Sequence, residues 1–244
     1  MRRSTSLAAL LAALLFCTHR PTDTAPARRG PDIVIIDTGS EAAFRGTLNL
    51  ARTCRECWHK HGTWMAITLE DQLNMLNALP VQATMTVYKN TKDIIDGVRG
   101  AIGLAPRVIS MSLAGTEYEQ REYDAIKEAV DHNILVVAAA GNSGLAHPEY
   151  PAGYKLPCVV AVSSTKGGHI AQWAHRASVG EIYLEAMPGE DGTSYSTQRA
   201  AAYALVYFQE HPLDTCKQAK AYLVERFGSV QTPLKSGNER SQRL

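Results

Sequence analysis

Four short motifs carry side chains that could do acid–base and acyl-transfer chemistry. The run Asp32–Asp37 (DIVIID) ends in Asp37, followed by Thr38 and Gly39. A carboxylate directly after four β-branched residues stands at a strand tip, where a turn through Gly39 holds it; taken alone, it reads as a turn aspartate. His61-Gly62-Thr63 opens the helical stretch Trp64–Ala78. A histidine in a first helical turn is held at a fixed angle, as a general base must be, although a single loop histidine carries no such meaning. The apolar run ILVVAAA leads into Gly141-Asn142-Ser143-Gly144, where the Asn142 amide could donate to developing negative charge or merely close a turn. Gly192-Thr193-Ser194-Tyr195-Ser196-Thr197 opens the helix RAAAYALVYF. Unpaired N–H groups and the positive end of the helix dipole favour an oxyanion near Ser194, while Ser and Thr are also ordinary helix caps.

Each motif is weak singly, and the elements that position them supply the stronger signal. Continuous apolar runs at Ile33–Ile36, Thr84–Tyr88, Val108–Met111, Ile134–Ala139 and Cys158–Val162 suit strands buried on both faces. Helical patterns alternate with them, at 62–78, 92–104, 117–132, 194–210 and 215–227. Ile94, Ile95, Val98, Ala101 and Ile102 form the apolar stripe of a helix packed on a sheet. The alternation predicts an α/β fold: a mostly parallel sheet with helices on both faces. Ligands bind such sheets beyond the carboxyl ends of the strands. The acid, the imidazole, the amide and the hydroxyl all fall at that one edge. A serine becomes nucleophilic only beside a base, which works best when a carboxylate orients its other nitrogen.

The motifs resemble, in order and in register, those of the subtilisin-like serine peptidases. VIIDTG is similar to that family's aspartate motif, HGTWMA to its histidine motif, RVISMSLAG to its substrate-binding strand, VVAAAGNSG to its asparagine motif and GTSYST to its serine motif. YPAGYKLPCVVAV and ASVGEIYLEAMPG extend the resemblance, which runs from about Asp32 to Phe227. It implies a subtilisin-like three-layer fold and a serine endopeptidase working through an acyl-enzyme. Carried over by position, Asp37 orients His61, His61 is base and then acid, and Ser194 attacks the scissile carbonyl. Asn142 and the Ser194 N–H hold the oxyanion. The strand through Ser112, Leu113, Ala114 and Gly115 pairs with extended substrate, and Ala139, Ala140 and Gly141 line the side-chain pocket. No cofactor and no metal is expected, and the partner is a polypeptide.

The chain also departs from the family pattern. Gln198, followed by Arg199, stands where the family has a proline that pre-sets the first helical turn. The stretch from Pro188 to Gly192 and the span from Asp37 to His61 are short. The calcium-binding loop after the histidine helix and a folding-assistant propeptide are not recognisable. These departures motivate the alternative of a weak or inactive subtilase-like protein that binds peptide without turning it over.

Length and composition suit one peptidase domain over 31–228 with tails. The 244 residues are 45% apolar and 20% charged, ordinary for a globular chain able to bury a sizeable core. A formal net charge of +1 without a basic stripe argues against nucleic acid as partner. Arg2 and Arg3 precede the apolar run Leu7–Phe16, too short to span a bilayer and read as a secretory signal over 1–20. Cys17 raises lipidation as an alternative to simple secretion, but Phe16 replaces the small residue such signals carry. Residues 21–30 read as a linker and 229–244 as a loose tail. Export to the periplasm or medium favours disulfides among Cys54, Cys57, Cys158 and Cys216, in any of three pairings. Cys54-x-x-Cys57 with His59 also has the spacing of a zinc or redox site, a reading weakened by the lack of a second ligand pair. Cys158, within an apolar run, could equally be a small filler.

Overall fold

The computed structural model describes residues 30–144, 147–174, 180–186 and 191–228. The expected secretory signal, nearly all of the linker, the C-terminal tail and most of the stretch leading to Gly192 lie outside these. Among the described residues nine strands form one sheet: β1 (Ile33–Asp37), β2 (Phe44–Arg45), β3 (Leu48–Leu50), β4 (Val81–Val87), β5 (Val108–Met111), β6 (Leu135–Ala139), β7 (Val159–Lys166), β8 (His169–Ile170) and β9 (Ile182–Glu185). Five helices accompany them: α1 (His61–Met75), α2 (Thr91–Leu104), α3 (Gln120–Asp131), α4 (Thr193–Glu210) and α5 (Cys216–Phe227). The strand order is β2-β3-β4-β1-β5-β6-β7-β8, with β9 also paired to β7. All pairings from β3 through β7 are parallel, as is β7 with β9; β2 and β8 add short antiparallel ends.

The sheet is buried on both faces, as its continuous apolar strands require. Ile33 and Ile35 of β1 face one way, against Leu69 and Leu73 of α1, Ala201 and Leu205 of α4 and Leu223 of α5. Val34 and Ile36 face the other way, against Ile95 and Val98 of α2 and Ile126 of α3. The period of two along the strand thus divides one apolar run between two cores. This is the expected α/β three-layer architecture. The small residues Ala200, Ala201, Ala202 and Ala204, all fully buried, let α4 cross the sheet centre closely enough to touch β5, β6 and β7.

Several elements differ from the sequence-based reading. β4 begins at Val81 rather than Thr84, because its first half alternates buried and exposed positions. β2, β3, β8 and β9 are two to four residues long, too short for a periodic signal. α3 starts at Gln120, where the Glu119 side chain accepts a hydrogen bond from the Arg121 N–H. Cys158 is more than filler: it is bonded to Cys216 with the Cα atoms 5.6 Å apart, tying the residue before β7 to the first residue of α5. Cys54 and Cys57 are bonded to each other, which takes both thiols away from a metal. Among the described residues no His, Cys, Asp and Glu cluster is placed to hold a metal ion, and no helix is long and apolar enough to cross a membrane.

Candidate active site

β1 lies at the centre of the sheet, and its last residue is Asp37, fully buried. Asp37 Oδ1 accepts the Thr38 N–H at 2.7 Å and meets His61 Nδ1 at 2.8 Å. Its second oxygen, Oδ2, is buried without a hydrogen-bond partner. The first turn of α1 is drawn to this strand tip by Thr38. The Thr38 hydroxyl donates to the His59 carbonyl at 3.0 Å and accepts the Gly62 N–H at 2.9 Å. The approach is so close that a Cβ on Gly62 would stand 2.5 Å from the Gly39 carbonyl oxygen. Only glycine fits between the aspartate loop and the helix.

An ionised carboxylate can only accept, so the contact places the imidazole proton on Nδ1 and leaves the Nε2 lone pair free. Burial pulls the His61 pKa down, but the hydrogen bond and the negative charge of Asp37 outweigh it. The result lies above the ordinary 6.5. Burial and the same carboxylate push the Tyr88 phenol up to about 12, so it remains neutral beside the pair.

Two further edges bring the amide and the hydroxyl. Beyond β6, Asn142 Oδ1 accepts both the Thr193 N–H, at 2.9 Å, and the Thr193 hydroxyl, at 3.1 Å. An N–H must have an oxygen opposite it, which fixes the amide orientation and leaves Nδ2 unspent. At the head of α4 the Ser194 hydroxyl donates to the Ser112 carbonyl at 3.2 Å, and Ser112 Oγ donates to the Ser194 carbonyl at 3.0 Å. Ser194 is therefore engaged with the segment that follows β5 rather than hydrogen-bonded to His61.

Gln198 is fully buried beneath this turn. Its Nε2 donates to Ser110 Oγ at 3.0 Å and to Ser112 Oγ at 2.9 Å. Ser112 has already given its proton to Ser194, so it must accept here, and the amide can face it only with nitrogen. A chain Gln198–Ser112–Ser194 thus anchors the turn where proline was expected. Gln198 Oε1 is buried and unpartnered. Arg199 joins α4 to α1 through Gln72 Oε1 at 2.7 Å.

Asn142 and Ser194 open on a cleft of about 300 Å³ lined by Ser112, Leu113, Ala114, Ala139, Asn142, Ser143, Glu149, Thr193 and Ser194; Asp37 and His61 are not part of its lining. Of the residues expected to meet substrate, Ser112, Leu113, Ala114 and Ala139 line the cleft, while Ala140 and Gly141 are buried and do not line it. Gly115 uses its own N–H and carbonyl to pair with Tyr150. Glu149 and Thr193 belong to the site although their sequence context did not single them out for it, and Gln198, read as a departure from the family's proline, supports it. Only the Thr193-Ser194 adjacency and the proline replacement at Gln198 hinted at two of them.

A buried carboxylate on an imidazole, with a hydroxyl and an amide at the same edge of a three-layer α/β sheet, places the molecule among candidate serine hydrolases. The particular family follows from comparison. The family model described as "Subtilase family" matches residues 57–241, and the chain belongs to that family; Asp37 precedes the matched span. Subtilisin NAT of Bacillus subtilis subsp. natto is 28% identical over 200 residues, covering 71% of this chain and 51% of that protein. Subtilisin of Bacillus pumilus is 28% identical over 202 residues, covering 72% of this chain and 71% of that one. The chain spans about half the length of the first of these relatives. Among solved structures, a cold-adapted subtilisin-like serine proteinase superposes with a TM-score of 0.67 at 22% identity, over 81% of this chain and 82% of that one.

Proposed function

We propose that the chain is an exported serine endopeptidase in which Asp37, His61 and Ser194 form the catalytic triad and Asn142 the oxyanion donor. The observation that carries this reading is the 2.8 Å contact between buried Asp37 and His61 Nδ1, made at the sheet edge that also presents Asn142 and Ser194. In the reaction, a peptide laid along Ser112–Ala114 presents its carbonyl carbon to Ser194. The hydroxyl turns from Ser112 toward His61, Nε2 takes its proton, and Oγ bonds to the carbonyl carbon. The negative oxygen is held by Asn142 Nδ2 and the Ser194 N–H. His61 then passes the proton to the departing amine, and the acyl-enzyme is hydrolysed by the same steps with water as nucleophile. Export rests on the run Leu7–Phe16 and on similarity to the minor extracellular protease Epr of Bacillus subtilis, 30% identical over 144 residues that cover 53% of this chain and 22% of that protein.

A fluorophosphonate probe should label the purified protein at Ser194, and Ser194→Ala should abolish labelling. Folded protein that takes no label would overturn the reading and leave the peptide-binding alternative.

A further inference from the structure

The cleft contains one carboxylate that the proposed mechanism does not use. Glu149 is 6% exposed, yet it lines the cleft together with Ser194, Asn142 and Ala139. Its Oε1 is buried with no hydrogen-bond partner. Among the described residues no cation forms an ion pair with it. The loop that carries it is fixed from both sides. Tyr150 exchanges backbone hydrogen bonds with Gly115 at 2.9 and 2.7 Å, and the Gly153 N–H donates to the Glu149 carbonyl at 2.8 Å. The carboxylate fills the space left by the missing side chain of Gly141: a Cβ there would lie 2.1 Å from Glu149 Oε2.

A buried carboxylate without a cation or sufficient donors is strongly unfavourable. Held rigidly in an open cleft, it is a preformed half of an ion pair. Leu113, Ala114 and Ala139 offer apolar surface suited to the methylene stem of a long cationic side chain. The oxyanion donors sit on the same cleft, so a side chain seated here belongs to the residue whose carbonyl meets Ser194.

We propose that Glu149 is the specificity-determining residue, selecting substrates with Arg or Lys immediately before the cleaved bond. This rests on the peptidase reading for its catalytic consequence, though not for the binding of a cation. The full chain should be assayed with fluorogenic tetrapeptide amides differing only at that residue, as Arg, Lys, Gln, Leu or Glu. Charge-assisted pairing in a desolvated site predicts kcat/KM for Arg and Lys at least about 100-fold above Gln. In the near-isosteric Glu149→Gln that ratio should fall to within about 5-fold, and in Glu149→Asp it should stay on the cationic side. A wild-type preference for Leu or Gln, or a cationic preference surviving in Glu149→Gln, would overturn the proposal.

Agmatine, a free alkylguanidinium, provides a readout without turnover. It should bind wild type and Ser194→Ala, measured by calorimetry, and fail to bind Glu149→Gln of unchanged melting temperature. Glu149-dependent agmatine binding without fluorophosphonate labelling would defeat the peptidase reading and leave the cation pocket standing. Labelling without agmatine binding would do the reverse.

Discussion

Gln198→Met tests the seat of the nucleophile. Methionine matches glutamine in length but removes both hydrogen bonds from Nε2, to Ser110 at 3.0 Å and to Ser112 at 2.9 Å. Two neutral hydrogen bonds contribute about 1 kcal/mol each. The substitution also removes Oε1, a buried acceptor without a partner, whose desolvation opposes folding by about 1–3 kcal/mol. These two effects nearly cancel, but the fully buried Ser110 hydroxyl is left without its partner, so the urea midpoint should fall by about 1–3 kcal/mol equivalent. The rate should respond as well. Ser112 loses the donor that fixes its hydroxyl against the Ser194 carbonyl, and a less defined serine should lower kcat about 10-fold, or about 1.4 kcal/mol. Ser112→Ala cuts the same chain, so the double variant should lose little more than either single one. The measurements are denaturant unfolding and steady-state kinetics on one peptide amide. A kcat within about 2-fold of wild type, or additive losses in the double variant, would refute the positioning role of Gln198.

The charge pair and the long-range disulfide give separate predictions. Asp37→Asn should lower kcat about 10⁴-fold, because the imidazole loses the partner that holds its proton on Nδ1. Turnover requires neutral His61, whose pKa lies above 6.5, so the wild-type rate should fall as pH drops through that raised value; a limb centred below 6.5 would contradict the contact. The stability sign is opposite: the pair stabilises the fold fully below the unfolded value, and that contribution is lost as pH rises through the folded one. Replacing Cys158 and Cys216 by alanine opens a crosslink of sequence separation 58 and should cost about 2–4 kcal/mol by chain entropy. Opening Cys54–Cys57, separation 3, should cost far less; equal losses in calorimetry would show that both act through local packing.

Much of the fold and of the candidate site was legible because both depend on strand tips. A buried parallel strand is a continuous apolar run, so the first polar residue after it marks the sheet edge; Asp37 and Asn142 are placed by that rule. What escaped depends on contacts between distant segments. Gln198 reads as a defect in its own helix, and becomes a support only through serines 88 and 86 positions earlier. Glu149 lies in an aperiodic loop, and nothing local reveals that Gly141 leaves space for its carboxylate. The disulfide pairing could not be chosen by counting, because Cys158 and Cys216 meet only once α5 packs on the sheet.

The head of α4 joins capping to the proposed chemistry in one bond. Its N-cap, Gly192, has no side chain to cap the helix, and the Thr193 N–H is satisfied instead by Asn142 Oδ1 from beyond β6. That bond orients Nδ2 toward the cleft and leaves the next N–H, that of Ser194, unspent for the oxyanion. Asn142→Ala should therefore lose in both respects: about 1 kcal/mol of stability as a missing cap and about 10²–10³ in kcat. Asn142→Asp splits them. Aspartate still accepts from Thr193, and its charge at a helix N-terminus favours folding by about 0.3–1 kcal/mol. It would nevertheless face the developing oxyanion with another negative charge, so kcat should fall at least as far as in Asn142→Ala. A variant both as stable as wild type and less active than the alanine variant would establish that one amide caps the helix with its oxygen and serves the reaction with its nitrogen. An Asn142→Asp variant that keeps its rate would place the oxyanion elsewhere in the cleft.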